Sequence, residues 1–217
     1  MMKNMKNDSC KLSQPCPGLF LVEDFLLPAE EQKLIENLVT EISPPFKLAS
    51  FNGTHLGKRW GVHCNLRDRK VGHPENPLPT YLTSLVQPKL NALSNPKLRT
   101  WSMNEANAIE YKKDRGHFLI SHVDDRFLSK EAICNLSLNG DCYMTFTRVK
   151  ETNKGLSSNG GKVGDVVKVL LKRRTLQILT GDARYNFSHG IKNEDLMSSS
   201  RISITMRESP LTEKINK

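Results

Sequence analysis

From Asn107 to Met206 the chain runs as short strand-forming segments separated by turn residues, and this rhythm constrains the fold more than any other feature. The segments are Asn107–Tyr111, Phe118–His122, Ile133–Leu138, Tyr143–Val149, Val166–Leu171, Thr175–Thr180, Tyr185–His189 and Arg201–Met206. Seven or eight strands at this spacing, preceded by helices, predict an α+β chain built on a small antiparallel sandwich or jelly roll. Asn139-Gly140-Asp141 is a strong hairpin signal between the third and fourth segments.

Two helices are expected ahead of the strands. The first opens at Pro28 with Glu30 and Glu31 in its first turn, where the helix dipole favours acids. Leu34, Ile35, Leu38, Val39 and Ile42 form its apolar stripe, and Ser43-Pro44-Pro45 ends it. The second spans roughly Thr80 to Leu93, with Leu82, Leu85, Val86 and Leu90 at helical spacing. Met1–Pro17 reads as a flexible arm, residues 18–208 as a single domain and residues 209–217 as a polar tail.

At 217 residues, with 37% hydrophobic and 25% charged residues, the composition is that of a globular protein rather than a disordered one. No apolar run approaches the roughly 18 residues of a membrane span, and no secretory signal is visible. An intracellular protein of the nucleus or cytoplasm, monomeric and without a membrane partner, is expected. The five cysteines include no CxxC pair and are expected as reduced thiols, with Cys134 and Cys142 in the core. Cys10 and Cys16 alone do not complete a zinc site. The formal charge of +9 favours a polyanionic partner.

A His-x-Asp triplet alone means little: about one chain in three of this composition would contain one by chance. His122-Val123-Asp124, however, ends a strand, so His122 and Asp124 point to the same face. His189, followed by Gly190, is the natural third ligand from a strand distant in sequence. Two histidines and a carboxylate on one face of an octahedron leave three positions open, as a non-haem Fe(II) oxygenase needs for a chelating keto acid and O2. On these residues alone, two unrelated surface histidines are the alternative.

Arg201 to Arg207 alternates without a break. Arg201, Ser203, Thr205 and Arg207 share one face, and Ile202, Ile204 and Met206 the other. Guanidinium groups flanking hydroxyls suit a carboxylate ligand. Six residues of strand span about 20 Å, so both arginines cannot hold one small carboxylate. Arg201 with Ser203 is the candidate for the distal carboxylate of 2-oxoglutarate, and Arg207 serves the metal end of the pocket or is structural.

The order Tyr111, His122-Val123-Asp124, His189 and Arg201 to Arg207 resembles the AlkB-like Fe(II)/2-oxoglutarate dioxygenases, the homologue 4 branch in particular. The likeness runs through Asn107–Tyr111, Gly116–Asp125, Arg174–Ile191 and Arg201–Glu208, and more loosely through Pro17–Phe25 and Gly57–Lys70. It implies a double-stranded β-helix (jelly-roll, cupin-like) core with N-terminal flanking helices. It also implies Fe(II) on His122, Asp124 and His189 as metal and catalytic residues, with O2 and 2-oxoglutarate as co-substrates. Tyr111 and Arg201 would hold 2-oxoglutarate, with Ser203 and Arg207 in the same pocket. The bacterial pattern has asparagine two residues before the tyrosine, where this chain has Ile109. The activity implied is oxidative demethylation, most directly of a methylated nucleic-acid base in DNA or RNA. A methylated lysine in a protein is the alternative substrate, and an idle relative that only binds nucleic acid or protein is a third reading. Lys58, Arg59 and Trp60 stand where the family carries a substrate lid, and Asp125 either contacts substrate or caps the loop after the metal strand.

Overall fold

In the computed structural model residues 12–41, 44–50, 52–149 and 164–211 are described. The strands are β1 (Leu12–Cys16), β2 (Leu19–Val22), β3 (Lys47–Ala49), β4 (Gly53–Asn65), β5 (Lys70–Asn76), β6 (Glu105–Lys112) and β7 (Phe118–His122). They continue as β8 (Ile133–Leu138), β9 (Cys142–Arg148), β10 (Val166–Leu171), β11 (Leu176–Leu179), β12 (Phe187–Ile191) and β13 (Ser200–Arg207). Helix α1 is Pro28–Thr40, α2 is Gln87–Asn91 and α3 is Gly181–Tyr185. Among the described residues thirteen strands therefore stand where seven or eight were expected. The additional ones are short (β1, β2, β3) or lie in the glycine-punctuated basic segment (β4, β5), which carries little apolar alternation.

The strands form two antiparallel layers in a jelly roll, the double-stranded β-helix expected from the sequence. The larger layer runs β1-β2-β11-β8-β13-β6-β4, with β3 and β5 also paired to β4, and the smaller runs β7-β12-β9-β10. Gly53 and Thr54 at the start of β4 pair with β7 and join the layers. The first core lies outside the larger layer, where Ile202, Ile204 and Met206 pack with Leu34 and Leu38 of α1, with Leu82, Val86 and Leu90, and with Trp60 and Trp101. The second lies between the layers and includes Tyr111, Met144, Phe146, Leu179 and Phe187. Both faces of β13 are thus covered: its apolar face by helices, its Arg/Ser face by the second layer.

Several expectations are corrected. The arm ending at Pro17 contains β1, which pairs with β2 and buries Cys16, while residues 1–11, Cys10 among them, lie outside the described residues. Ser209, assigned to the tail, is buried and hydrogen-bonded to Glu105. Val39 is exposed, leaving Glu31, Leu34 and Leu38 as the buried face of α1; Ile42 lies outside the described residues. The turn at Asn139-Gly140 exists, with Asn139 at φ 64°, but β8 and β9 do not form a hairpin. β8 is flanked by β11 and β13, and β9 by β10 and β12, so the turn carries the chain between layers. Glu31, fully buried, holds that turn by accepting the Asn139 N–H at 3.0 Å and pairing with Arg173 at 2.8 Å.

The second helix begins with a π turn, Leu82–Val86, before α2. Pro88 has no N–H to donate one turn back, and the Gln87 N–H bonds instead to the Leu82 carbonyl five residues earlier. Among the described residues no helix is long and apolar enough to cross a membrane.

Candidate metal and carboxylate site

His122 ends β7 and His189 lies directly opposite it on β12. Their rings are 4.7 Å apart between centroids, and His189 Nε2 is 3.6 Å from Asp124 Oδ2. One ligand atom from each of His122, Asp124 and His189 falls within 4.8 Å of the others, a separation that a single ion can bridge. His122 Nδ1 is 2.8 Å from the Ile120 carbonyl. A carbonyl can only accept, so Nδ1 carries the proton and Nε2 keeps a lone pair for a metal.

The electrostatics keep His189 and Asp124 in ligand form. Burial pushes the His189 imidazole down to about 4, so it is neutral at pH 7. Burial alone would raise the Asp124 carboxyl, but neighbouring cationic groups, Arg207 foremost, outweigh it and hold it well below the usual carboxylate range. Arg207 Nη2 donates to Asp124 Oδ1 at 2.8 Å, which leaves Oδ2 facing His189. Arg207 therefore belongs to the metal end.

Behind Arg207 stands Glu105, a buried carboxylate that no sequence signal marked. Its side chain pairs with Arg207 at 3.4 Å and accepts from Asn107 at 2.8 Å, Ser209 at 3.0 Å and Cys64 at 3.2 Å. The loop after β7 is held from the other side by Arg184 of α3, which is 1% exposed. Arg184 Nη1 donates to the Asp124 carbonyl at 3.2 Å, and Nη2 donates to the Asp125 carbonyl and to Ser129 Oγ at 3.1 Å.

Along β13 from Arg207 the space between the layers forms the chamber of the site, and at its far end Arg201 is 1% exposed with its guanidinium 5.6 Å from the Tyr111 ring centroid. Nη2 donates to Ser137 Oγ at 2.8 Å, while Nε and Nη1 are buried without a protein partner. Donors left open on a buried cation are what an anionic ligand such as a carboxylate would satisfy. Ser203 lies between Ser137 and Ile109 in register, and the two serines are buried in this wall while Ile109 is half-buried. Burial raises the Tyr111 phenol, which keeps it a neutral hydroxyl. Ser137 escaped the sequence reading although it alternates with Leu136 and Leu138 on β8, because a lone serine in an apolar strand is a weak signal.

Two of the four residues expected at the substrate are placed elsewhere. Lys58 is buried and donates to the carbonyls of Leu38 and Glu41, satisfying the C-terminal end of α1. Trp60, 2% exposed, packs in the helix-side core. Both point away from the chamber because β4 is a regular strand, and only Arg59, exposed and opposite Asn107, faces the other way. Asp125 caps the loop, its Oδ1 accepting from the N–H groups of Phe127 at 2.8 Å and Leu128 at 3.0 Å.

Gly190 lets the two histidine strands approach. A Cβ there would lie 2.8 Å from Ser121 N and 2.9 Å from the Leu119 carbonyl oxygen. Gly190→Ala is expected to part β7 from β12 and lower metal affinity by about 10–100-fold, the scale of lost support behind a metal ligand. Titration of both proteins with Mn(II) checks this, and equal affinities would show that the strand spacing is not limiting.

No family model matches the chain. Among curated proteins it is 29% identical over 206 residues to the Arabidopsis thaliana protein named alkylated DNA repair protein ALKBH8 homolog, covering 88% of this chain and 58% of that one. It is 28% identical to the Xenopus tropicalis tRNA (carboxymethyluridine(34)-5-O)-methyltransferase alkbh8, covering 81% of this chain and 25% of that protein. It is 24% identical to the Mus musculus alpha-ketoglutarate-dependent dioxygenase alkB homolog 4, covering 89% and 68%. The chain therefore spans less than two thirds of the first relative and a quarter of the second. Among solved structures, OsALKBH1 superposes with a TM-score of 0.63 at 16% identity, covering 91% of this chain and all of that one. A Pseudomonas putida prolyl-4-hydroxylase superposes with a TM-score of 0.53 at 13% identity, covering 89% and 94%.

Proposed function

We infer that this chain, AlkB-like in sequence and fold, is an Fe(II)- and 2-oxoglutarate-dependent dioxygenase. The observation that carries the reading is the meeting of His122, Asp124 and His189 within 4.8 Å, on strands joined only through the tertiary fold. The unpartnered Nε and Nη1 of Arg201, on the same chamber wall, fit the distal carboxylate of the keto acid.

When bound, iron and 2-oxoglutarate supply oxidation of a C–H bond by O2. The chain supplies placement. His122, Asp124 and His189 would hold the ion, and Arg207 restrains the free rotation of the Asp124 carboxylate. Arg201, with Ser137, Ser203 and Tyr111, would hold the far carboxylate of the keto acid and so orient it in the site. No side chain in this arrangement acts as a general acid or base.

For the substrate we favour an N-methylated base in nucleic acid, left in the strand as the unmethylated base while its methyl carbon departs as formaldehyde. The net charge of +9 supports it, as do the names of the Arabidopsis and Xenopus relatives. So does the rim of the site, where Phe127 is 62% exposed beneath Arg69, whose guanidinium is 4.8 Å from the ring centroid. An exposed ring with a cation beside it suits a stacked base. The test is succinate formation from 2-oxoglutarate with Fe(II) in air, with formaldehyde measured over methylated DNA and RNA oligonucleotides and methyl-lysine peptides. Turnover stimulated by an oligonucleotide is expected. Stimulation by peptides alone would move the substrate to protein, and folded protein that binds neither iron nor 2-oxoglutarate would sink the reading.

A further inference from the structure

Between the metal end and Arg201 the chamber holds an amide pair to which nothing so far gives a role. Gln177 on β11 lies opposite Asn135 on β8, and Asn135 lies opposite Thr205 on β13, so the three form one transverse row. Gln177 is 2% exposed. Its Oε1 has no partner, and Nε2 meets only the thioether of Met144 at 3.7 Å. Asn135 Oδ1 is likewise buried and unpartnered, while Nδ2 donates to Thr205 Oγ1 at 2.7 Å. Buried amides in an apolar interior cost stability unless something satisfies them.

The facing strand fixes where along the chamber this pair sits. Phe146, Met144 and Cys142 alternate along the buried face of β9. Phe146 is beside His189, with ring centroids 5.6 Å apart, Met144 is beside Gln177, and the Cys142 thiol is beside the Arg201 guanidinium. The amide pair therefore lies midway between the ligand triad and the far arginine.

We propose that Gln177, supported by Asn135, is a 2-oxoglutarate-binding residue whose amide N–H donates to an oxygen of the keto acid, an assignment that rests on the functional reading above. Oxygen and nitrogen of an amide exchange by a half-turn of the side chain. Turned that way, Asn135 Oδ1 accepts from the Thr205 hydroxyl, and both amides present N–H groups to the chamber. A bound anion selects that orientation, because the alternative sets carbonyl oxygens against carboxylate oxygens. The row ends on β6 at Asn107, whose amide is engaged by Glu105, and the next inward position on that strand, Ile109, offers no donor.

The test is calorimetric titration of 2-oxoglutarate into Mn(II)-loaded protein without O2, with no turnover involved. Gln177→Leu should weaken 2-oxoglutarate binding by about 10–100-fold, the scale of a hydrogen bond to a charged group, while Mn(II) affinity and melting temperature hold. Gln177→Glu keeps the shape but sets a carboxylate against the anion, and should weaken binding further; it serves if the leucine variant does not fold. Binding by either folded variant within about twofold of wild type would overturn the assignment and leave the amides to solvent. Wild-type protein that binds no 2-oxoglutarate would instead overturn the functional reading itself.

Discussion

Asp124→Ala is expected to abolish metal binding and, with it, any consumption of 2-oxoglutarate. Loss of support behind a metal ligand costs 10–100-fold in affinity, so loss of the only carboxylate in the triad should cost about a thousandfold or more. The variant should stay folded, because Arg207 keeps its pairing with Glu105 at 3.4 Å and the loop backbone keeps its bonds to Arg184. Mn(II) titration and thermal melting, read together, check both halves. A variant that still binds metal near wild-type strength would mean that the carboxylate serves Arg207 rather than an ion.

Arg184→Met is expected to have the largest effect among residues that touch no ligand. It removes bonds to the Asp124 and Asp125 carbonyls and to Ser129 and leaves two half-buried carbonyls without those donors. Burying the guanidinium already carries a desolvation cost that lowers its pKa, and methionine relieves that cost. The net loss should be about 2–4 kcal/mol, or roughly 5–15 °C in melting temperature for a chain of this size. Because the released loop carries Asp124, Mn(II) affinity should also fall by about tenfold or more. A lowered melting temperature with unchanged affinity would reduce Arg184 to packing, since only a positioning role moves the second readout.

What could be read from the sequence was what depends on neighbours in the chain. The alternation of β13 set Arg201, Ser203, Thr205 and Arg207 on one face because side chains on a strand reverse at every residue. The same geometry placed His122 and Asp124 together at the end of β7, and the turn residues marked where strands stop. Two strong local signals nevertheless pointed wrongly. Asn139-Gly140 makes the expected turn, yet β8 had better partners in β11 and β13. Lys58-Arg59-Trp60 resembles a basic, aromatic surface, yet pairing of β4 with β6 turns Lys58 and Trp60 into the helix-side core.

The remainder was decided by the tertiary structure, since it concerns residues far apart in the chain whose registers are set by packing of whole layers. The face-to-face pairing of His122 with His189 requires β12 to dock between β7 and β9. The link from Glu105 through Arg207 to Asp124 joins three separate strands and loops. Gln177 and Asn135 read singly as stray polar residues in apolar strands, and only their burial side by side, facing the chamber, gives them chemistry. By itself the sequence determined which side chains share a strand face, because that periodicity is local. Which faces meet was determined only by the fold, because hydrophobic burial is optimised over all the layers at once.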